Sequence, residues 1–169
     1  IMDFVPNHTS DEHRWFQRSR ESKDNPYRDY YFWRKGKHDR PPNNWGSIFG
    51  GSAWEFDEDT REYYLHLFSR KQPDLNWDNP KVRNEIYEIM NWWMDKGIDG
   101  FRLDVVNFIS KHPDLPNDDS KGPYGARGSK YYVDGPNIHK YFQEMNEEVF
   151  ANRDAVAIGE TPLVSEKAG

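Results

Sequence analysis

The chain has 169 residues, a formal charge of −6, no cysteine, 11 prolines, 12 glycines and 16% aromatic residues. That is one domain's length; the acidic balance and the lack of any long Lys/Arg run exclude a phosphate-tracking nucleic-acid surface, and the missing cysteine excludes disulfides, thiolate metal sites and a cysteine nucleophile. No apolar run approaches the roughly 20 residues that span a bilayer, and a mean hydropathy of −1.10 beside so many aromatics marks a folded protein whose surface is expected to be rich in Trp and Tyr.

Ile1 to Val5 is a short apolar run with Asp3 embedded, closed by Pro6-Asn7, as in a buried strand ending in a loop. From His8 to about Trp77 the sequence is charged and aromatic, and two pieces in it look regular. Asp11 to Ser22 reads as a short helix capped by Ser10 or Asp11, and Trp54-Glu55-Phe56 with Tyr63 to Phe68 reads as a hairpin. A structureless loop of that length does not suit a compact domain, so this stretch is expected to be a small inserted subdomain. Lys81 to Lys96 then places Val82, Ile86, Ile89, Met90 and Trp93 at helical spacing, with Gly97 at the C-terminus. Gly100 to Val106 is a second strand. A polar segment containing Pro113, Pro116, Gly122, Pro123, Gly125 and Gly128 leads to a second amphipathic helix marked by Ile138, Tyr141, Phe142, Met145 and Val149. Ala155 to Gly159 is a third strand, ending in Glu160. Helices alternating with short apolar strands indicate an α/β fold with a parallel sheet.

Polar groups fall on or just after each strand: Asp3, Asn7 and His8; Arg102 and Asp104; Glu160. The C-terminal ends of parallel strands are where α/β folds build sites. Side chains alternate along a strand, so Arg102 and Asp104 point the same way and Arg102 can hold Asp104 ionised and oriented. Glu160 follows an apolar strand, where partial burial beside Asp104 would favour its protonated form. One charged and one neutral carboxylate is the arrangement for glycosidic bond cleavage. A lone Arg-x-Asp is more often a structural ion pair, and a lone histidine such as His8 more often a cap or core residue. His8 and His13 lack a Glu-flanked His-x-x-x-His pattern, so no metal site is expected. Trp15, Trp33, Trp45, Trp54 and Trp77 are either a small core or flat faces for stacking on sugars.

Asp3-Phe4-Val5-Pro6-Asn7-His8, Gln72-Pro73-Asp74-Leu75-Asn76, Gly100-Phe101-Arg102-Leu103-Asp104 and Gly159-Glu160 together resemble four ordered signature regions of the α-amylase family of glycoside hydrolases. Gln72 to Asn76 resembles its oligo-1,6-glucosidase and α-glucosidase branch. The resemblance implies part of a (β/α)8 TIM barrel, about strands 3 to 5: strand 3 over 1–8, an inserted subdomain over 9–77, and helix 3 to strand 5 with the following loop over 78–169. It implies Asp104 as nucleophile, Glu160 as general acid/base, and Arg102, His8 and Asp3 as substrate-pocket residues. In the branch the chain resembles, valine at the position of Val105, directly after the implied nucleophile, goes with α-1,6 substrates and threonine with α-1,4 substrates.

A full barrel takes about 250 residues, and the family's later Asn-His-Asp motif and strand 1 metal loop have no counterpart here. The chain therefore reads as a piece of a longer enzyme, inactive alone. The expected activity is retaining hydrolysis of short α-glucosides, isomaltose foremost, with a small oligosaccharide as substrate, no nucleic acid as partner, no membrane evident and the oligomeric state left open. No cofactor is expected, apart from a structural calcium elsewhere in a complete enzyme, and the expected location is cytoplasmic. The rival readings are a trehalose-6-phosphate hydrolase, a sucrose isomerase or transglycosylase, and a non-enzymatic transporter heavy-subunit ectodomain.

Overall fold

The computed structural model describes residues 1–120 and 127–163; Gly122, Pro123 and Gly125 of the polar segment lie outside them. The chain divides into two compact units, one formed by 1–7, 77–112 and 132–169 and the other by 8–76 and 113–131.

The first unit holds a three-stranded parallel sheet of β1 (Met2–Phe4), β5 (Gly100–Leu103) and β6 (Val156–Gly159), with β5 in the centre. The register pairs Asp3 with Arg102 and Arg102 with Ile158. Two helices, α2 (Pro80–Asp95) and α3 (Ile138–Met145), supply the connections, as parallel strands require. Asn79 caps α2, its Oδ1 accepting from Lys81 N–H at 3.0 Å, and Pro80 occupies the first turn, where its missing N–H costs nothing. Gly97, at φ 95°, ends the helix in the left-handed conformation that glycine adopts most easily. The buried face of α2 is Val82, Arg83, Ile86, Tyr87, Met90 and Met94, whereas Trp93 is exposed, contrary to the expected pattern. Arg83 can be buried because Trp77 O accepts from its Nη1 at 2.7 Å and both Glu144 oxygens accept from its Nε at 3.0 Å. The second amphipathic helix is α-helical only to Met145 and continues as a π-helical turn over Asn146–Phe150 that still buries Val149.

The second unit is built on an antiparallel sheet with strand order β2-β4-β3, from β2 (Trp33–Arg34), β3 (Trp54–Asp57) and β4 (Glu62–Leu65), and on helix α1 (Arg14–Glu21). The β3–β4 pair is the expected hairpin, its turn fixed by Asp57 Oδ2, which accepts from Thr60 N–H at 2.9 Å and Thr60 Oγ1–H at 2.7 Å. Helix α1 starts later than expected: Ser10 to His13 is spent on a turn, and His13 Nδ1 caps the helix by accepting from Trp15 N–H at 3.2 Å.

Trp15, Trp33, Trp45, Trp54 and Trp77 are all 6% exposed or less, so they are core and not stacking faces. Three have their indole N–H satisfied inside, Trp45 by Pro116 O at 2.8 Å, Trp54 by Asn43 Oδ1 at 2.7 Å and Trp77 by Pro6 O at 2.8 Å, which removes the usual reason for a Trp edge to seek water. The second unit takes in 113–131 besides 8–76, where the sequence suggested an insertion over 9–77. Segment 113–131 joins it because Asn43 Nδ2 donates to Leu115 O at 2.9 Å and Asn44 Nδ2 donates to Asp118 O at 2.8 Å.

Candidate active site

Asp104 and Glu160 each lie one residue past a strand, and the ladder continues through their backbones. Asp104 N–H donates to Phe4 O and Glu160 N–H to Leu103 O, both at 2.9 Å. Both side chains are thereby fixed at the C-terminal ends of neighbouring strands, the rim where parallel sheets build sites.

Arg102, on the central strand, joins this rim together. Its Nη1 lies 3.0 Å from Asp104 Oδ1 and 3.2 Å from Asp3 Oδ1, and its Nη2 lies 2.6 Å from Glu160 Oε2. The Arg102–Asp104 contact follows from the two-residue spacing, and the Arg102–Asp3 contact from their pairing across β1 and β5. Desolvation works against the guanidinium's charge, but the charges of Glu160, Asp3 and Asp104 outweigh it and hold its pKa above the usual arginine value. Glu160 sits at the edge of this cluster. Its side chain is 43% exposed, partly buried as expected, and it meets the Arg102 guanidinium.

Val105 is a buried β-branched residue in the left-handed conformation, 6% exposed with φ 41° and ψ 40°. That geometry is uncommon for such a residue. It turns the chain so that Val106 N–H donates to Glu160 O at 3.1 Å and Phe108 N–H to Val105 O at 3.0 Å, fastening the two carboxylate-bearing loops to each other. Deeper in this unit Lys111, fully buried, donates from Nζ to Asn7 Oδ1 at 2.8 Å.

His8 belongs to the second unit. Gln72 Nε2 donates to His8 Nε2 at 3.0 Å, which requires the ring proton on Nδ1. Phe68, which the sequence reading did not single out, packs against His8 with ring centroids 5.3 Å apart, and Phe49, 70% exposed, packs against Phe68 at 5.7 Å. An exposed aromatic behind a glycine pair, Gly50-Gly51, was the available signal for this cluster. Among the described residues no group of three or more His, Cys, Asp or Glu could hold a metal ion, and no helix is long and apolar enough to cross a membrane.

The family model for the alpha-amylase catalytic domain matches residues 1–168. The oligo-1,6-glucosidase of Parageobacillus thermoglucosidasius is 62% identical over 170 residues, which covers 100% of this chain and 30% of that protein. Among solved structures, a mutant trehalose-6-phosphate hydrolase of Bacillus licheniformis superposes with a TM-score of 0.93 at 50% identity, over 98% of this chain and 29% of that one. The trehalulose synthase of Pseudomonas mesoacidophila MX-45 superposes with a TM-score of 0.87 at 53% identity, over 95% of this chain and 29% of that one. The chain thus spans about three-tenths of the length of the proteins it matches.

Proposed function

This chain belongs to the alpha-amylase catalytic-domain family, and from that premise we propose that it carries the nucleophile and the acid/base of a retaining α-glucosidase acting on short α-1,6-linked glucosides such as isomaltose. The observation that carries this reading is the single guanidinium of Arg102 held by both Asp104 and Glu160 at adjacent strand ends. Retaining chemistry needs two carboxyl groups about 5 to 5.5 Å apart, and a shared cation is a direct way to keep two like charges that close.

In the first step an Asp104 carboxylate oxygen bonds to the anomeric carbon as the glycosidic C–O bond breaks, and the leaving oxygen takes the Glu160 proton. Before that, Glu160 must leave Arg102 and acquire its proton, so sugar binding has to open the ion pair while leaving the Arg102–Asp104 contact in place. In the second step Glu160 removes a proton from water, the water oxygen bonds to the anomeric carbon, and the Asp104 carboxylate is released. Two inversions return the α configuration. Asp3 keeps Arg102 aimed at Asp104, and His8, set by Gln72, is assigned to a hydroxyl of the reacting sugar. The α-1,6 preference rests on Val105 and on the name of the 62%-identical relative. In this reading the three strands are strands 3, 4 and 5 of the barrel.

The test is to follow isomaltose hydrolysis by the full-length protein with proton NMR. α-Glucose appearing before mutarotation, and its loss in Asp104→Asn, are the expected results. β-Glucose as first product, or activity that survives Asp104→Asn, would sink the assignment.

A further inference from the structure

Asn107 lies fully buried in the turn that follows Asp104. Its Nδ2 donates to Pro162 O at 3.0 Å, a bond between residues 55 apart in sequence. A carbonyl only accepts, so the amide has to present its nitrogen to Pro162. The other end of the amide then meets no donor: Asn107 Oδ1 is buried without a hydrogen-bond partner among the described residues. An unmet buried acceptor weakens a fold, and a leucine of much the same volume would remove it. Stability therefore does not account for an asparagine at this position, and a buried group left in that state points to another use.

The place of the bond supplies that use. Glu160 is anchored at its own backbone, where its N–H donates to Leu103 O at 2.9 Å and its carbonyl accepts from Val106 N–H at 3.1 Å. Two residues on, the chain is anchored again by Asn107 at Pro162. Val106 and Asn107 are neighbours in one turn, and that turn is itself fixed from behind, since Asn107 O accepts from Asp134 N–H at 3.0 Å. All of these residues belong to the first unit. Loss of the second anchor would let the chain that leaves β6 swing about Glu160. With both in place the Glu160 Cα stays put, and release from Arg102 becomes a change of side-chain rotamer with no movement of the strand.

On the reading of Glu160 given above, we infer that Asn107 is a positioning residue that sets this acid/base through Pro162. It touches no sugar, because none of its surface is exposed. A displacement of about 1 Å at a reacting group can cost on the order of 100-fold in rate.

Isomaltose and α-glucosyl fluoride, offered to the full-length protein, separate this role from a structural one. The leaving oxygen of isomaltose must take a proton from Glu160, whereas fluoride departs as an anion without one. Asn107→Leu is expected to lower kcat/KM for isomaltose about tenfold or more and that for the fluoride less than about twofold, with the thermal midpoint within about 3 °C of the parent. Asn107→Ala, which only removes atoms, should give the same split even if leucine does not fit. Equal losses on the two substrates, or no loss on either, would overturn the inference. Failure of the underlying reading looks different: a Glu160→Gln protein that still cleaves isomaltose at the parent rate would overturn the acid/base assignment itself.

Discussion

Arg102 Nη2 stands 2.6 Å from Glu160 Oε2, so the residue that orients one carboxylate also restrains the other. Removing it should harm the chemical step more than binding. Arg102→Gln is expected to lower kcat by roughly 100-fold or more with a much smaller change in KM. Arg102→Lys should not restore it, because an ammonium cannot present two separate donors in a fixed plane. Steady-state kinetics on a nitrophenyl glucoside distinguish this from loss of sugar binding, which would raise KM instead.

The proposed preference for α-1,6 linkages makes Val105 a position to test. Threonine fits the same volume and adds a hydroxyl that can bond a sugar hydroxyl or a backbone group of the turn, worth on the order of 0.5 to 1.5 kcal/mol, or about two- to twelve-fold in rate. The parent is expected to prefer isomaltose to maltose, and Val105→Thr to move the ratio of kcat/KM toward maltose by that factor. An unchanged ratio would mean that this buried residue only packs the turn.

The features legible in the sequence were those that depend on near neighbours in the chain. Alternation placed Arg102 beside Asp104, the spacing of Val82, Ile86 and Met90 with the Gly97 stop marked α2, and the aromatic runs of Trp54 to Phe56 and Tyr63 to Phe68 marked the β3–β4 hairpin. What depends on distant partners was hidden. The Arg102–Glu160 contact crosses two strands 58 residues apart in sequence. Strand β2 is two residues long and exists only because β4 pairs with it. The tryptophans could not be sorted into surface and core, since their internal acceptors Pro6, Asn43 and Pro116 have no pattern that announces them.

Gly100 makes the Arg102 rim possible. A Cβ there would lie 2.0 Å from Val156 O, at φ 151°, where β5 and β6 are in register. Gly100→Ala is expected to cost about 1 to 3 kcal/mol and to move β6, and with it Glu160, away from Arg102. Thermal unfolding together with activity checks this; full activity in a folded Gly100→Ala protein would show that β6 tolerates the shift.

Asp118 sets an acid limit for the second unit. Burial opposes its charge, but N–H donors from Gly128 and Ser120, with the Lys130 ammonium and the Ser120 hydroxyl, outweigh that and bring its pKa from 3.8 to about 2. A carboxylate with a depressed folded-state pKa contributes stability that is complete above 3.8 and is lost as pH falls toward 2, on the order of 2 kcal/mol in all. Asp118→Asn should therefore unfold more easily at neutral pH and show a flatter stability profile between those two values. Denaturant titrations at several pH values measure both.

The division of each unit into separate stretches of chain constrains how the polypeptide can assemble during synthesis. Residues 8–76 emerge from the ribosome well before 113–131, and at about 5 to 20 residues per second the 55 residues from 77 to 131 take roughly 3 to 11 s. Over that interval Leu115, Asp118 and Pro116, whose carbonyls accept from Asn43 Nδ2, Asn44 Nδ2 and Trp45 Nε1 in the fold, are not yet made, and β1 waits even longer for β5, nearly the whole of the first 100 residues. Neither unit can finish before the other has begun. A nascent chain arrested near residue 110 should accordingly present an incomplete aromatic core to chaperones, and slowing translation there should lengthen its exposure and leave the mature sequence untouched.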